Sequence, residues 1–364
     1  MKVTILSQLP PPVNGSTLMT QIHLEILQGQ ELEVELIERE FSFSINEINR
    51  FTFRKVFRSF KLFFKVNRIF SQRKPEIFIC YFSSSKYARF IDYTVCRLAE
   101  LRRIPIALYF HTIPKRMHTN TNLANYFFVR LIRRSENIVL GRTMENFFLD
   151  SLHAKFTSII PNTVTDYEEL RLSSRNTIRI KPHADQIAFL SNLQPDKGLE
   201  DFILFASIVN QKLPYVKFIV IGPVVDELYM KEIHKELARL HLTEKFEFTG
   251  FLSGVSKYTI LHESDFLVFT SRLLEGQPLS IIEAISCGTP VLSFPAGGAV
   301  DLVLDEISGY VSQNVDELCA FYFRMIEDET QYVKLRKTSK QYFEDNYSLS
   351  RYQSLWKDWI SKRI

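Results

Sequence analysis

Short apolar runs alternate along the chain with longer segments in which apolar residues recur every three or four positions. The short runs are typical of strands buried on both faces, and the longer pattern is typical of amphipathic helices. The predicted strands are residues 3–7, 33–37, 77–81, 106–110, 137–140, 186–190, 217–221, 246–249, 266–269 and 290–294. Helical spacing is clear over 17–27 and 87–103. This alternation predicts an α/β protein with parallel sheets covered by helices.

The length of 364 residues favours two domains. A polar stretch separates the halves, so we expect a first domain over 1–165, a linker over 166–185 and a second domain over 186–345. Doubly wound domains bind ligands at the carboxyl ends of their strands, and two such domains place a cleft between those ends. The loops that follow strands are therefore the places to look for chemistry.

Composition is that of a globular protein, with 46% hydrophobic and 24% charged residues. No apolar stretch is long enough for a membrane span, and the apolar start of the chain is read as a buried strand rather than a signal peptide. The four cysteines are far apart and lack metal-ligand spacing, which favours a reduced, cytoplasmic protein. We expect neither a metal site nor a bound cofactor.

The segment 266–290 carries the most specific local pattern. A strand ends near Thr270, and Pro278 suits the first turn of a helix because its missing N–H is not needed there. The helix is predicted to run over 279–286 and to end at Gly288, with Pro290 following. Its first turn therefore lies at the carboxyl end of a strand.

Two carboxylates flank this helix start, Glu275 in the loop before it and Glu283 inside it. Unpaired N–H groups at the start of a helix attract phosphate, so we expect a backbone phosphate site there. Its residues are Gly276, Gln277, Pro278, Leu279 and Ser280. A hexose would lie at Glu275, and ribose hydroxyls would donate to Glu283.

The two glutamates, separated by seven residues, resemble the signature of the family 4 retaining glycosyltransferases, which have the GT-B fold. The similarity continues in the family's order through a donor-phosphate loop at 189–198, a base-binding segment at 248–252 and a glycine stretch from Gly297 to Tyr310. The resemblance implies two Rossmann-like domains with a cleft between them. It also implies a C-terminal segment, 346–364, that returns to the first domain.

The resemblance assigns roles to residues of the second half. Glu275 orients the sugar, Lys197 neutralises the leaving phosphate and Glu283 holds the ribose. The remaining donor-binding candidates are Asn192 in the phosphate loop and Gly250 and Phe251 in the base segment. An arginine is usual where this chain has Asn192, so Lys197 is expected to carry more of the charge. A UDP-sugar is favoured over a GDP-sugar as donor.

The first half carries weaker motifs. Residues 10–17 resemble the family's first glycine loop, with Gly15 facing the donor and Asn14 and Ser16 facing the acceptor; Ser16 or Thr17 is predicted to cap the next helix. By the same resemblance His111, at the end of the fourth strand, lies against the transferred sugar. Ser83, after the third strand, is placed on the acceptor side.

Charge is uneven: residues 1–166 hold 23 basic and 14 acidic residues, a net +9, and the remainder has a net −5. Residues 50–74 alone hold nine basic residues and no acidic one. One helical stripe there is Phe53, Val56, Phe57, Phe60, Phe63 and Phe64, and another is Arg54, Arg58, Lys61, Lys65 and Arg68. Either the aromatic stripe inserts into an anionic membrane leaflet, or it packs on the sheet and the basic residues are simply solvated.

The sequence therefore predicts a metal-independent, retaining enzyme that moves a hexose from a nucleoside-diphosphate sugar to a glycan or lipid-linked acceptor. It would be peripheral on the inner face of the cytoplasmic membrane and would bind no nucleic acid. Two alternatives stay open. One is another GT-B enzyme, such as a nucleotide-sugar epimerase or a phosphorylase, and the other is a catalytically silent, membrane-bound scaffold.

Overall fold

A computed structural model describes residues 1–11, 15–29, 32–39, 53–83, 85–114, 123–164 and 185–363. The chain divides into two compact units, of which unit 1 is residues 1–161 and 353–364 and unit 2 is residues 162–352. Most of the predicted linker lies outside the described residues. None of the helices that the structure describes is long and apolar enough to cross a membrane.

Unit 1 is a six-stranded sheet in the order β2-β1-β3-β4-β5-β6, with every neighbouring pair parallel. Its strands are β1 (Lys2–Ser7), β2 (Glu33–Glu38), β3 (Ile77–Tyr81), β4 (Ile106–Tyr109), β5 (Glu136–Val139) and β6 (Phe156–Ile159). Its helices are α1 (Gly15–Gln28), α2 (Phe53–Gln72), α3 (Lys86–Leu101), α4 (Leu123–Arg134) and α5 (Arg142–Asn146), the last continuing into a π-helical turn, Phe147–Ser151. The buried strand predicted at the start of the chain is confirmed.

The connections of unit 1 explain which helices share a face. From β2 through β3 and β4 to β5 the chain always moves in one direction across the sheet. Right-handed crossovers then place α2, α3 and α4 together on one face. The step from β1 to β2 runs the other way and places α1 on the opposite face.

Unit 2 is a second parallel sheet, in the order β12-β11-β10-β7-β8-β9. Its strands are β7 (Gln186–Leu190), β8 (Lys217–Ile221), β9 (Phe246–Gly250), β10 (Phe266–Phe269), β11 (Val291–Ser293) and β12 (Gly309–Val311). Its helices are α6 (Leu199–Lys212), α7 (Glu227–Arg239), α8 (Gly254–Glu263), α9 (Leu279–Ser286), α10 (Val315–Glu327) and α11 (Glu329–Asn346). Short 3-10 turns occupy Thr243–Lys245 and Gly297–Asp301.

Two separate hydrophobic clusters cover the faces of the second sheet. One, centred on Phe202, packs α6, α7 and α10 against the strands, with the rings of Phe189 and Phe202 5.3 Å apart. The other contains Ile281 and Ile285 of α9. Helices on both faces of a parallel sheet define a Rossmann-like unit, as the alternating pattern predicts.

The last helix, α12 (Leu349–Ser361), begins in unit 2 and belongs to unit 1 from residue 353 onward. Trp356 is fully buried there and stacks on His23 of α1 with ring centroids 3.8 Å apart. Arg363 forms an ion pair with Glu136 of β5 at 2.8 Å. The end of the chain is thus part of the core of unit 1.

The ten predicted strands are all present, with ends shifted by one residue at most. The prediction missed β6 and β12, because β6 is mostly half-exposed and two of the three residues of β12 are only half-buried. All four cysteines are free thiols.

Candidate functional site

The carboxyl edge of the second sheet brings Glu275 and Lys197 into contact. The Lys197 Nζ donates to Glu275 Oε1 at 2.7 Å, and the Ser271 Oγ donates to the same oxygen at 2.8 Å. Because β10 and β7 are neighbours in the sheet, the loops that follow them meet although 78 residues separate the two side chains. The result is a partly buried, neutral ion pair at the centre of the edge.

The Glu275 loop is held by the glycine pair that follows β11. The Gly298 N–H donates to the Glu275 carbonyl at 3.0 Å. A Cβ on Gly298 would lie 1.8 Å from the Gly276 carbonyl oxygen, and Gly297 has φ +57. Only glycine allows this approach, so the predicted Gly-Gly stretch acts here by positioning the Glu275 backbone.

The predicted phosphate loop lies against the end of β10. Gly198 has φ +86, and a Cβ there would come within 1.9 Å of the Thr270 carbonyl oxygen. The Thr270 hydroxyl donates to the Gly198 carbonyl at 2.6 Å, which fixes the loop beside Lys197. Asn192, at the other end of the loop, is partly buried, and its side chain makes no hydrogen bond to a described residue.

Helix α9 begins and ends where the sequence predicts. Pro278 is its N-cap, Leu279 its first residue, and Gly288 follows the C-cap with φ +69. The N–H groups of Leu279 and Ser280 belong to the first turn, where no carbonyl within the helix reaches them. They lie at the carboxyl edge of the sheet, three and four residues after Gly276.

The side chain of Gln277 has a structural partner. Its Oε1 accepts from the Asn162 backbone N–H at 2.6 Å, and its own carbonyl accepts from the Asn162 Nδ2 at 3.1 Å. This ties the start of α9 to the first residue of unit 2. The side chain of Gln277 is therefore part of a structural contact within unit 2.

Glu283 is buried in the second turn of α9, and its Oε1 accepts from the Lys257 Nζ of α8 at 2.7 Å. Burial raises the pKa of the Glu283 carboxyl, and the charge of Lys257 opposes that shift. Sequence reasoning missed Lys257. No local motif links positions 26 residues apart, and the pairing follows from the packing of α8 beside α9.

The predicted base-binding segment follows β9. The Gly222 N–H donates to the Gly250 carbonyl at 2.9 Å, which joins the ends of β8 and β9, and Gly250 has φ +72. Phe251 comes next and is 58% exposed. An exposed aromatic ring at the carboxyl edge of a sheet is a surface on which a planar base can stack.

The helix that follows the predicted glycine loop of unit 1 starts earlier than the sequence predicts. Helix α1 begins at Gly15, so Ser16 and Thr17 lie inside its first turn. The prediction that one of them caps the helix is wrong, because a capping residue precedes the first helical residue. Asn14 lies outside the described residues.

His111 follows β4 and lies against two tyrosines, with its ring centroid 5.2 Å from Tyr81 and 4.6 Å from Tyr109. Burial, and secondarily the charge of Arg39, lowers the pKa of His111 to about 3, so the ring is neutral at neutral pH. Its Nε2 is buried and has no hydrogen-bond partner among the described residues. A neutral imidazole of this kind is available to a ligand hydroxyl.

Ser83 belongs to an ion-pair network that sequence reasoning missed. Its N–H donates to the Asp92 carboxylate at 2.8 Å, and its hydroxyl accepts from Arg39. Arg39 also contacts Asp92 at 2.7 Å and donates to the Tyr81 carbonyl at 2.7 Å. Burial raises the pKa of Asp92 although Arg39 opposes the shift. The network fixes the backbone after β3.

The structure contradicts one of the two interpretations of the basic segment, namely that its aromatic stripe packs on the sheet. Lys61 and Lys65 are exposed, Arg58 is half-buried, and the side chain of Arg54 lies outside the described residues. The aromatic stripe does not pack on the sheet; Phe60 and Phe64 are exposed, and a different stripe of α2 is buried.

The described residues hold no group of three or more His, Cys, Asp or Glu side chains placed to bind a metal ion.

Residues 171–342 match the family model described as glycosyl transferases group 1. The chain is similar to the Vi polysaccharide biosynthesis protein VipC/TviE of Salmonella typhi, with 29% identity over 36% of this chain and 22% of that protein. It is also similar to the lipopolysaccharide 1,2-N-acetylglucosaminetransferase of Salmonella typhimurium, with 23% identity over 62% of each chain. The matches thus span less than two thirds of these relatives.

Crystal structures of Anabaena Alr3699/HepE have the same fold over the full length of both chains. The complex with UDP superposes with a TM-score of 0.74 at 18% identity, and the complex with UDP-glucose with a TM-score of 0.73 at 19% identity. Two parallel six-stranded sheets, each with helices on its faces, are the architecture of the GT-B glycosyltransferases. Residues 171–342 thus match the glycosyl transferases group 1 model, and the chain as a whole has the fold of the GT-B glycosyltransferases.

Proposed function

We propose that this protein is a retaining, metal-independent glycosyltransferase. It moves a hexose from a nucleoside-diphosphate sugar to a hydroxyl of a glycan or lipid-linked acceptor. The observation that carries the proposal is the Lys197–Glu275 ion pair, 2.7 Å long, at the carboxyl edge of the second sheet and beside the first turn of α9. The family match over 171–342 supports it.

The donor diphosphate replaces Glu275 as the binding partner of Lys197. Lys197 and the first-turn N–H groups of Leu279 and Ser280 present positive charge to the phosphates. When Lys197 turns to the phosphate, Glu275 loses its partner and becomes free to accept hydrogen bonds from sugar hydroxyls. The same donors stabilise the negative charge that develops on the departing diphosphate, which lowers the barrier to transfer.

The other donor contacts follow from the same edge. Glu283 accepts hydrogen bonds from the ribose hydroxyls, and the charge of Lys257 offsets part of the cost of burying the carboxylate. The exposed ring of Phe251 stacks on the base. The UDP and UDP-glucose complexes of Anabaena Alr3699/HepE support a UDP-sugar over a GDP-sugar.

Unit 1 supplies the acceptor side. The neutral ring of His111 accepts a hydrogen bond from, or donates one to, a hydroxyl of the transferred sugar. The backbone after β3, held at Ser83 by Arg39 and Asp92, lines the acceptor path. In a retaining transfer the acceptor hydroxyl attacks from the face that the diphosphate leaves, so donor and acceptor oxygens share that face.

The enzyme works as a peripheral protein on the cytoplasmic face of the membrane. Two observations support this, the net charge of +9 over residues 1–166 and the exposed aromatic residues of α2. A polysaccharide or lipopolysaccharide acceptor is supported by the names of the Salmonella relatives.

A thermal-shift titration with UDP and GDP is the first test. A ligand at one hundred times its Kd stabilises the folded state by about 2.7 kcal/mol, so UDP is expected to raise Tm more than GDP at equal concentration. Equal shifts, or none with either nucleotide, would contradict the donor assignment. The UDP-sugar that gives the largest shift is then used for turnover.

Turnover tests the reaction itself. Incubation with the UDP-sugar and a lipid-linked acceptor should give a product with the anomeric configuration of the donor, equally well with and without EDTA. Conversion of the UDP-sugar in the absence of acceptor would indicate an epimerase. Nucleotide binding without any conversion would indicate a silent scaffold.

A further inference from the structure

Helix α2 has two apolar faces. One is buried in unit 1 and includes Ile69 and Phe70. The other carries Phe57, Phe60 and Phe64, which are 63%, 62% and 69% exposed. Single exposed apolar residues are ordinary, but three phenylalanines within two turns of one helix form a patch, and such patches mark interaction sites.

The patch continues over the two neighbouring helices. Phe90 of α3 is 58% exposed, and Tyr126 and Phe127 of α4 are 58% and 38% exposed. All three helices cover the same face of the first sheet, as their connections require. With Phe63 of α2, which is 36% exposed, seven exposed aromatic side chains among the described residues share one helix layer.

Direct contacts join the three helices into one surface. Ser59 of α2 and Tyr87 of α3 are hydrogen-bonded at 2.7 Å. Tyr93 of α3 meets Phe128 of α4 edge-to-face, with ring centroids 5.5 Å apart, and Arg89 lies over the same Phe128 ring at 5.0 Å. The three helices thus pack against one another, while the aromatic residues on the outer side of the layer stay exposed.

The same three helices are strongly basic. They contain twelve Lys and Arg and two acidic residues. Of the two acids, Asp92 is buried against Arg39, and Glu100 is paired with Arg97. The outward face is consequently an array of positive charge with aromatic rings among it, and Lys61 lies over the Phe57 ring at 4.8 Å.

Arginines concentrate further at a cavity of about 150 Å³ between α3 and α4. Arg97, Arg130 and Arg134 line it together with Tyr93, Phe127 and Leu131, and Glu100, the ion-pair partner of Arg97, also lines it. Arg130 and Arg134 are exposed, and neither forms an ion pair with a residue that the structure describes. These guanidinium groups are open to an external anion.

We propose that the outward face of α2, α3 and α4 is a docking surface for an anionic phospholipid leaflet. The helices lie in the plane of the interface, the phenylalanines insert at the level of the acyl-chain boundary, and the lysines and arginines contact lipid phosphates. The charge of the surface complements such a leaflet. A second copy of the same surface fits poorly, because its charge has the same sign.

The aromatic residues lie at one end of this surface. They occupy the first halves or middles of α2, α3 and α4, and each of these helices starts at the carboxyl edge of the first sheet. Ser83 and His111 follow strands at that same edge. Insertion at this end brings the acceptor side of unit 1 next to the lipid surface.

The docking surface rests on the proposed function in one respect only, that docking would present a lipid-linked acceptor to unit 1. Docking itself is measured without any sugar. Flotation with vesicles of phosphatidylglycerol and phosphatidylcholine is compared with flotation on vesicles of phosphatidylcholine alone. The full chain is expected to bind the anionic vesicles and not the neutral ones. Added salt should release it, because salt screens the attraction between the basic side chains and the lipid phosphates.

Two variants separate the electrostatic contribution to vesicle binding from the apolar contribution. In K61Q/K65Q, binding to the anionic vesicles should weaken about thirtyfold at low salt, since each basic residue near the leaflet contributes roughly 1 kcal/mol. In F57S/F60S/F64S, binding should weaken by about tenfold or more and become more sensitive to salt, because only the electrostatic part is left.

A matched variant provides the control. L204S/Y215S/L228S removes three exposed apolar side chains of unit 2 and should leave vesicle binding unchanged. The phenylalanine variant should keep the UDP thermal shift of the wild type, which shows that both units are folded. Vesicle binding without sugar transfer would contradict the proposed function and leave the docking surface intact.

Three outcomes would overturn the docking surface. The first is equal binding to neutral and anionic vesicles. The second is wild-type vesicle binding by F57S/F60S/F64S. The third is a stable dimer, or a complex with RNA, that F57S/F60S/F64S abolishes while vesicles bind neither protein.

Discussion

At the scale of single residues, the candidate site of unit 2 consists of two ion pairs. The side chains of Lys197 and Glu275 are each 19% exposed, and those of Lys257 and Glu283 are 15% and 10% exposed. Separating such a pair is costly when a charge is left without a partner. A ligand that separates Lys197 from Glu275 must therefore offer both side chains a new partner, as a diphosphate would to Lys197 and sugar hydroxyls would to Glu275.

Replacing Glu275 with Gln keeps the size of the side chain and removes its charge. We expect kcat for sugar transfer to fall by about a hundredfold, as when one transition-state contact is lost. The thermal shift with UDP should persist, because Lys197 stays available to the diphosphate. Glu244→Gln, a change at a site remote from these ion pairs, serves as the control. Wild-type turnover in Glu275→Gln would remove the main support for the proposed function.

Buried histidines give unit 1 a specific pH dependence. Burial, with a smaller effect of His111, lowers the pKa of His23 to about 3, against an ordinary value of 6.5. Between these two pH values the unfolded chain binds a proton that the folded chain does not bind. The stabilisation is therefore complete above pH 6.5 and is lost as the pH falls towards 3.

Chemical denaturation between pH 7 and pH 4 measures this loss. Below about pH 6, His23 should add about 1.4 kcal/mol of destabilisation per pH unit. In His23→Gln that contribution disappears, so the free energy of unfolding should depend less steeply on pH. His153→Gln is the comparison, since the side chain of His153 is exposed. Equal slopes in all three proteins would contradict the assignment of His23 as a buried neutral histidine.

At the scale of elements, close backbone approaches decide where the Glu275 loop lies. The turn Gly297–Asp301 meets the Glu275 loop at distances that no Cβ permits. The phosphate loop meets the end of β10 in the same way at Gly198. Two glycine contacts thus hold the loops that carry Glu275 and Lys197, one on each side of β10.

Gly298→Ala tests this arrangement. Its added methyl would lie 1.8 Å from the Gly276 carbonyl oxygen, so the Glu275 loop must shift. We expect a loss of about 1–3 kcal/mol in unfolding free energy and a larger relative loss of kcat than of UDP affinity. Gly29→Ala meets only ordinary contacts at 3.5 Å and should be neutral. Unchanged turnover in Gly298→Ala would mean that the loop is positioned by other contacts.

At the scale of the whole molecule, the end of the chain completes unit 1. Residues 353–364 belong to unit 1 although they follow unit 2 in sequence. Trp356 is enclosed between His23 and Tyr109, and Arg363 is paired with Glu136. Unit 1 is therefore incomplete until the last residues of the chain are in place.

Trp356→Ala should destabilise unit 1 by about 3–5 kcal/mol, the usual cost of removing a buried aromatic side chain. Hydrogen exchange should show the loss of protection in β1 and α1, while α9 of unit 2 keeps its protection. Lys357→Ala, one residue further along and exposed, is the matched control. A uniform loss of protection in both units would contradict the assignment of this segment to unit 1.

The sequence by itself determined the alternation of strands and helices, the bounds of α9 and the spacing of Glu275 and Glu283. These features depend on neighbours a few residues apart, through hydrophobic period, proline and glycine. The glycines at 297 and 298 were also found by motif, although their reason, a backbone approach to the Glu275 loop, was not visible.

Only the tertiary structure decided which side chains meet. Lys197 reaches Glu275 because β7 and β10 are neighbours, and Lys257 reaches Glu283 because α8 packs beside α9. Helix α2 has two apolar stripes, and local periodicity cannot tell which one the sheet buries. The sheet order and the direction of each connection set these contacts, and they bring together residues too far apart in sequence for a local pattern to relate.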